Sequence, residues 1–357
     1  MAAAAAVAAG LDPALAAPRA ALRVGRGWSR RRVAAAAAAA PSRGFELTED
    51  GAYESWEWRG HRVNYARLDG RRGNGGGKPP VVLVHGFGGA VGHFRDNIGA
   101  IAATGRDVYA VDLLGLGRSE KPRVQYEIEL WGEQISDFVS EVVEADRAIV
   151  CGNSLGSLST LCAAAERPEV FSGVVLFNCA GGLNNKAVLN RQGESGERDL
   201  RLTLVAPIFL LLDALLKLRP FARYIFEKVR TAESVAGALG AVYVNTSRAD
   251  EELVRIITRC AEDEGALDAF VSILTGPPGP TPQACVAKMP EELPLLVLYG
   301  RSDTITPPDG PVGQFFATLP ARRPAATYTT VDANHCPFDD APEETNAKLL
   351  EWLDALE

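Results

Sequence analysis

Residues 148–166 read Ala-Ile-Val-Cys, then Gly152-Asn153-Ser154-Leu155-Gly156, then Ser-Leu-Ser-Thr-Leu-Cys-Ala-Ala-Ala-Glu. The first run suits a strand buried on both faces, and the last suits a helix. The turn between them is so tight that a Cβ at either flank would strike the neighbouring strand or helix, which calls for Gly152 and Gly156. A serine at the apex of a strand-to-helix turn of this kind is held out at the edge of a sheet as a nucleophile.

The alternation that frames this turn extends along the chain. Tyr53–Trp58 and Arg62–Leu68 read as an opening antiparallel hairpin, and residues 70–80 as a flexible turn too rich in Gly and Pro for any element. Continuous apolar runs follow at Val81–Val84, Val108–Val111, Ala148–Cys151, Val174–Phe177 and Leu295–Leu298, with Ala326–Val331 repeating the theme. Leu130–Val143, Leu155–Glu166 and Glu343–Leu356 fit helices between or after them. This order predicts an α/β doubly wound sheet. It breaks between Gly181 and Met289, where the stretches Leu202–Leu218, Phe221–Val229 and Glu251–Ala261 are helical and a GPPGPTP break covers 276–282. The expected organisation is therefore a leader at 1–44, a core formed by 45–180 and 290–357, and a helical cap inserted at 181–289. Residues 202–218 are apolar over most of a helical circumference, which predicts burial. One side would pack on the main domain and the other would line an apolar channel above Ser154. The plainer alternative is a helix that only holds the cap together, and a third is one that rests on a membrane surface.

A serine hydroxyl needs a neighbouring base. Of the four histidines, 61, 85, 93 and 335, only His335 follows Ser154, as the chain order Ser, acid, His requires. The acid that orients it is read as Asp303, beyond the Leu295–Leu298 strand, with Asp332 as rival. Asp339 and Asp340 read as surface charges beside the last helix. The developing oxyanion of acyl transfer needs two N–H donors, expected from Leu155 and from Phe87 in the His85-Gly86-Phe87-Gly88-Gly89 loop. Gly86 and Gly88 let that backbone approach a substrate, and His85 reads as structural support for the loop.

The net charge of -8 argues against nucleic acid as a partner. The six cysteines (151, 162, 179, 260, 285 and 336) show no CxxC and no Cys/His pairing at metal spacing, so no metal or cofactor is expected. Asp213 and Lys217 interrupt the longest apolar run, which is too short to span a bilayer. Residues 1–44 carry seven arginines, no lysine and one acid, Asp12, in an alanine-rich background. That composition fits an organellar transit peptide and does not distinguish plastid from mitochondrion.

HGFGG (85–89), DLLGLGRS (112–119), GNSLG (152–156), GRSD (300–303) and NHCPFDDAPE (334–343) together resemble the α/β-hydrolase superfamily over residues 52–356. The resemblance implies a mostly parallel eight-stranded sheet with helices on both faces and an inserted helical cap. It looks like the cap-bearing branch that includes epoxide hydrolases and haloalkane dehalogenases. Those use an aspartate nucleophile, and Ser154 stands in its place, so their chemistry does not carry over. Within the branch, WEWRGHRVNYA (56–66), LVHGFGGAVGHFRDN (83–97) and WGEQISDFVSEVV (131–143) look like plastid hydrolases of the chlorophyll dephytylase and pheophytinase group. Ser157 departs from many of those relatives. The resemblance implies a Ser-His-Asp ester hydrolase in the chloroplast acting on a bulky apolar ester, such as the phytyl ester of chlorophyll or pheophytin; a peripheral membrane contact through the cap is an alternative raised only by the apolar stretch 202–218. Two alternatives remain open: a lipid or thioester hydrolase or acyltransferase, and a ligand-binding receptor on the same fold.

Overall fold

The computed structural model describes residues 53–70, 78–143, 145–184, 186 and 200–356. The leader at 1–44 and most of the Gly-rich turn, residues 71–77, lie outside the described residues. Eight strands form one sheet: β1 (Tyr53–Trp58), β2 (His61–Leu68), β3 (Val81–Val84), β4 (Val108–Val111), β5 (Ala148–Asn153), β6 (Phe171–Phe177), β7 (Leu295–Gly300) and β8 (Ala326–Val331). Their order is β1-β2-β4-β3-β5-β6-β7-β8. β1 and β2 form an antiparallel hairpin, β2 pairs antiparallel with β4, and every later pair is parallel.

The strands sort their side chains by parity. Val82 and Val84 of β3 join the apolar cluster on one face, while Val81 and Leu83 join the cluster on the other. The second face is covered by α1 (Ile98–Ala102), through Ile98 and Ile101. The first is covered by α2 (Ile128–Glu141), through Trp131, Ile135 and Phe138, and by α3 (Leu155–Glu166), through Leu158 and Leu161. With helices on both faces, β3, β4 and β5 have no solvent-facing side, and all their residues are buried.

Among the described residues no strand lies between β6 and β7. That interval holds α4 (Leu200–Leu216), α5 (Arg219–Val229), α6 (Ala232–Val242), α7 (Glu251–Cys260), α8 (Ala266–Thr275) and α9 (Pro282–Lys288). Start signals are explicit at α6, α7 and α9, where Thr231, Asp250 and Thr281 accept from the backbone N–H three residues on. The proline-rich stretch ends in α9 because Pro282 sits in its first turn, where a missing N–H costs nothing. α9 packs against α3, and Cys285, Val286 and Met289 join the core cluster there. α10 (Pro311–Thr318), α11 (Pro337–Asp340) and α12 (Pro342–Asp354) complete the chain. α12 lays Leu349 and Leu353 on the α1 side of the sheet.

The strand order places the loops after β3 and β5 side by side, with Val84 paired to Gly152. Chain connections leave these two neighbours in opposite directions along the sheet, and a crevice at such a point is where open α/β sheets hold ligands.

Candidate active site

Ser154 sits between β5 and α3 with φ 53° and ψ -114°. That is a strained backbone for a side chain with a Cβ, and strain of this kind clusters at functional sites. Its N–H donates to the Phe177 carbonyl at 2.9 Å, and its own carbonyl accepts from Leu158 and Ala180 at 3.1 Å each. The flanking glycines are steric necessities. A Cβ on Gly152 would collide with the Gly156 carbonyl, and one on Gly156 would collide with the carbonyls of Val84 and His85. Ser157 is buried and donates to the Gly152 carbonyl at 2.6 Å.

The Ser154 hydroxyl lies 2.9 Å from Nε2 of His335. Nδ1 of the same ring lies 3.0 Å and 3.1 Å from the two carboxylate oxygens of Asp303. A carboxylate at Nδ1 fixes the proton there, so Nε2 accepts from the serine. Asp303 is buried and also accepts from the N–H groups of Ile305 and Thr306 at 2.8 Å and 3.0 Å, from the Thr306 hydroxyl at 2.6 Å and from the Asn178 amide at 2.6 Å. Burial pushes its pKa up, but the His335 charge and hydrogen bond together with the Thr306 bonds outweigh burial and bring it down to about 2. Asp332 stands apart from this arrangement, its side chain 76% exposed and its nearest charged partner Arg301 at 4.0 Å.

Phe87 and Leu155 both line the cavity that Ser154 and His335 face. Leu155 opens α3, so its N–H has no acceptor within the helix. Phe87 lies in a turn closed by Gly89 N–H to Gly86 carbonyl at 3.1 Å. Gly88 takes φ 73° in that turn, and Gly86 passes close to the Asn153 side chain. His85 is fully buried: Nδ1 donates to the Gly86 carbonyl at 2.8 Å, and Nε2 accepts from Leu113 N–H at 3.2 Å. It therefore joins the loop after β3 to the loop after β4.

Three residues hold this assembly, one that the sequence reading passed over and two that it misjudged. Asn178 follows β6 with φ 45°. Its amide nitrogen donates to Asp303 and to the Asn334 carbonyl, and its oxygen accepts from Gly300 N–H at 2.7 Å. A polar residue directly after a buried apolar strand was the available signal. The other two are Asp339 and Asp340, which are buried and are not surface charges. Asp340 accepts from the N–H groups of Asn334, Val244 and Asn245 at 2.6 Å, 2.9 Å and 2.8 Å. Asp339 accepts from Arg95, Arg248 and the Tyr243 hydroxyl. Since His335 N–H also donates to the Val242 carbonyl at 3.2 Å, the histidine loop is tied directly to the end of α6.

The cavity holds about 650 Å³, within the range of about 300–1,000 Å³ usual for small-molecule sites. Its walls include Phe226 and Phe270, whose rings lie 5.3 Å apart, with Phe87 6.4 Å from Phe270. Phe209, Leu212 and Leu216 of α4 contribute another wall. The expectation that 202–218 would be buried on all sides does not hold, because Leu210 and Leu211 point to solvent.

Comparison with known proteins agrees with this architecture. The model of the alpha/beta hydrolase family matches residues 81–348. The chain is 27% identical over 297 residues to 1-acylglycerol-3-phosphate O-acyltransferase ABHD5 of Sus scrofa, covering 78% of this chain and 79% of that one. It is 24% identical over 318 residues to the chloroplastic pheophytinase of Arabidopsis thaliana, covering 78% of this chain and 62% of that protein. Among solved structures, the epoxide hydrolase CorEH superposes with a TM-score of 0.65 at 17% identity, covering 85% of this chain and 99% of that one.

Proposed function

The chain belongs to the alpha/beta hydrolase family, and from that premise we propose that it is a serine hydrolase cleaving carboxylic esters of bulky apolar substrates. The observation that carries this reading is the hydrogen-bonded series Ser154–His335–Asp303 opening onto an apolar cavity. In the proposed mechanism, His335 Nε2 takes the proton of Ser154 as Oγ attacks the ester carbonyl. Asp303 keeps the ring oriented and stabilises its positive charge. The N–H groups of Phe87 and Leu155 receive the oxyanion. Collapse expels the alcohol, which takes the proton from His335, and leaves an acyl group on Ser154. Water, deprotonated by the same nitrogen, then releases the acid and restores the serine.

The substrate we favour carries a long isoprenoid or acyl chain, with a phytyl ester as the leading example. Similarity to the chloroplastic pheophytinase supports it, and so do the apolar cavity walls. Each CH₂ that leaves water for such a wall contributes about 0.8 kcal/mol. On nitrophenyl esters of increasing chain length, kcat/KM should therefore climb steeply, and polar substitution at Phe209 or Leu212 should flatten the climb without unfolding the protein. Equal rates on acetate and long-chain esters would remove the apolar-chain reading. A second reading, transfer of the acyl group to an alcohol in place of water, is supported by similarity to the acyltransferase ABHD5. It predicts a new ester when an acylglycerol acceptor is added. The composition of residues 1–44 supports import into an organelle, and similarity to the chloroplastic pheophytinase favours the plastid. A fluorescent protein fused behind residues 1–50 should enter plastids, and a diffuse cytosolic signal would contradict this placement.

A further inference from the structure

Helix α4 carries apolar side chains on two faces with different neighbours. Phe209, Leu212 and Leu216 turn into the cavity. Pro207, Leu210, Leu211, Ala214 and Leu218, spaced three and four residues apart, form an exposed stripe along α4 and just beyond its end. Leu210, Leu211 and Leu218 are 59%, 61% and 57% exposed, and Tyr224 on the outer face of α5 is 61% exposed. Among the described residues six large apolar side chains are exposed, and these four are the most open of them. Scattered exposed apolar residues need no explanation, but a contiguous stripe on one face marks an interaction surface.

The charges around the stripe identify its partner. Residues 207–230 hold five basic side chains (Lys217, Arg219, Arg223, Lys228 and Arg230) and two acidic ones (Asp213 and Glu227), on a chain whose total charge is -8. Lys217, Arg219, Arg223 and Lys228 are exposed; Lys217 pairs with Asp213 at 2.9 Å and Arg219 with Asp268 at 3.0 Å. A local excess of positive charge flanking leucines, on an otherwise acidic protein, matches the interface of a bilayer with anionic headgroups. No helix of the described residues is long and apolar enough to cross a membrane.

We propose that the outer face of α4 and α5 docks on a bilayer bearing anionic lipids, with Leu210, Leu211 and Leu218 at the acyl boundary and Arg223 and Lys228 among the phosphates. In this pose the cavity wall lies one helix diameter, about 10 Å, behind the seated surface. An apolar ester dissolved in the bilayer then starts next to the site that the proposed reaction needs. The docking itself rests on exposure and charge and does not depend on that reaction.

The test measures binding. Full-length protein is sedimented with vesicles of phosphatidylcholine alone, or of two parts phosphatidylcholine to one part phosphatidylglycerol. The wild type should partition to the mixed vesicles. The triple variant Leu210→Gln, Leu211→Gln, Leu218→Gln should lose about tenfold or more in partitioning. The pair Arg223→Gln, Lys228→Gln should weaken binding to mixed vesicles and leave any binding to neutral ones unchanged. Each variant should hydrolyse a soluble short-chain ester at the wild-type rate, which separates loss of docking from loss of the reaction. If the triple variant melts early, Leu211→Gln alone is read instead. Equal binding by wild type and variant would overturn the proposal, including the case where the basic leader does all the binding. A lipid-free wild-type dimer that the substitutions convert to monomer, with no vesicle binding by either, would assign the face to a second copy of the chain and equally overturn it.

Discussion

Asp303 and Asp332 are both aspartates at the C-terminal end of a strand, and burial separates them. The Asp303 carboxylate is enclosed and accepts from His335, Thr306, Ile305 and Asn178, while Asp332 is in solvent. Asp303→Asn removes the acceptor that fixes the His335 tautomer and should lower kcat by on the order of 10⁴, with Asp332→Asn close to wild type. Reversed losses, read from steady-state rates on a soluble ester, would transfer the orienting role to Asp332. Sequence alone pointed to Ser154, His335 and Asp303 because each follows a strand, and strand ends are where this architecture displays polar groups. It misjudged Asp339 and Asp340 because acids at the start of a terminal helix are normally solvated. Their partners, Arg95, Arg248 and Tyr243 for one and the N–H groups of Val244 and Asn245 for the other, are distant in the chain and carry no local pattern.

Strands β3 to β7 were legible as elements because double-sided burial writes continuous apolar runs. α6 was not legible: Ala-Glu-Ser-Val-Ala-Gly-Ala-Leu-Gly-Ala-Val has small residues on most faces and no strong amphipathic stripe. The exposed face of α4 was misread for a related reason, since an apolar residue carries no mark that distinguishes a cavity wall, a core and a docking face. The junction of α6 with the core supplies a pH test. His93 is buried with Nε2 2.7 Å from the Tyr243 hydroxyl, which in turn donates to Asp339 at 2.8 Å. Burial lowers the His93 pKa to about 4, against the raising effect of the Asp339 charge. An unfolded histidine titrates near 6.5, so between those values the unfolded chain binds a proton that the folded one refuses. Stability attributable to His93 is therefore full above about pH 6.5 and declines as the pH falls towards 4, by up to about 3 kcal/mol. Urea unfolding across this window should show a shallower decline for His93→Gln than for the wild type. Parallel declines would mean that His93 is charged or solvated in the folded protein.

Across the whole molecule, the sheet fixes one catalytic geometry while the helices between β6 and β7 shape what reaches it. Phe87, Ser154 and Asp303 stand on loops after β3, β5 and β7, strands whose residues are all buried, so their spacing is set by the core. The side chains of α4 to α8 form most of the apolar cavity wall, and α6 joins that wall to the histidine loop. Such a division lets one framework serve relatives of different activity, and the claim to test first is acyl transfer through Ser154. The direct measurement is the intact mass of the protein after reaction with a fluorophosphonate or a slow-turnover nitrophenyl ester, followed by peptide mapping. The account predicts one added group, located on Ser154, that is absent from Ser154→Ala although that variant melts like the wild type. A wild-type protein that stays unmodified, or an adduct on another residue that persists in Ser154→Ala, would contradict it.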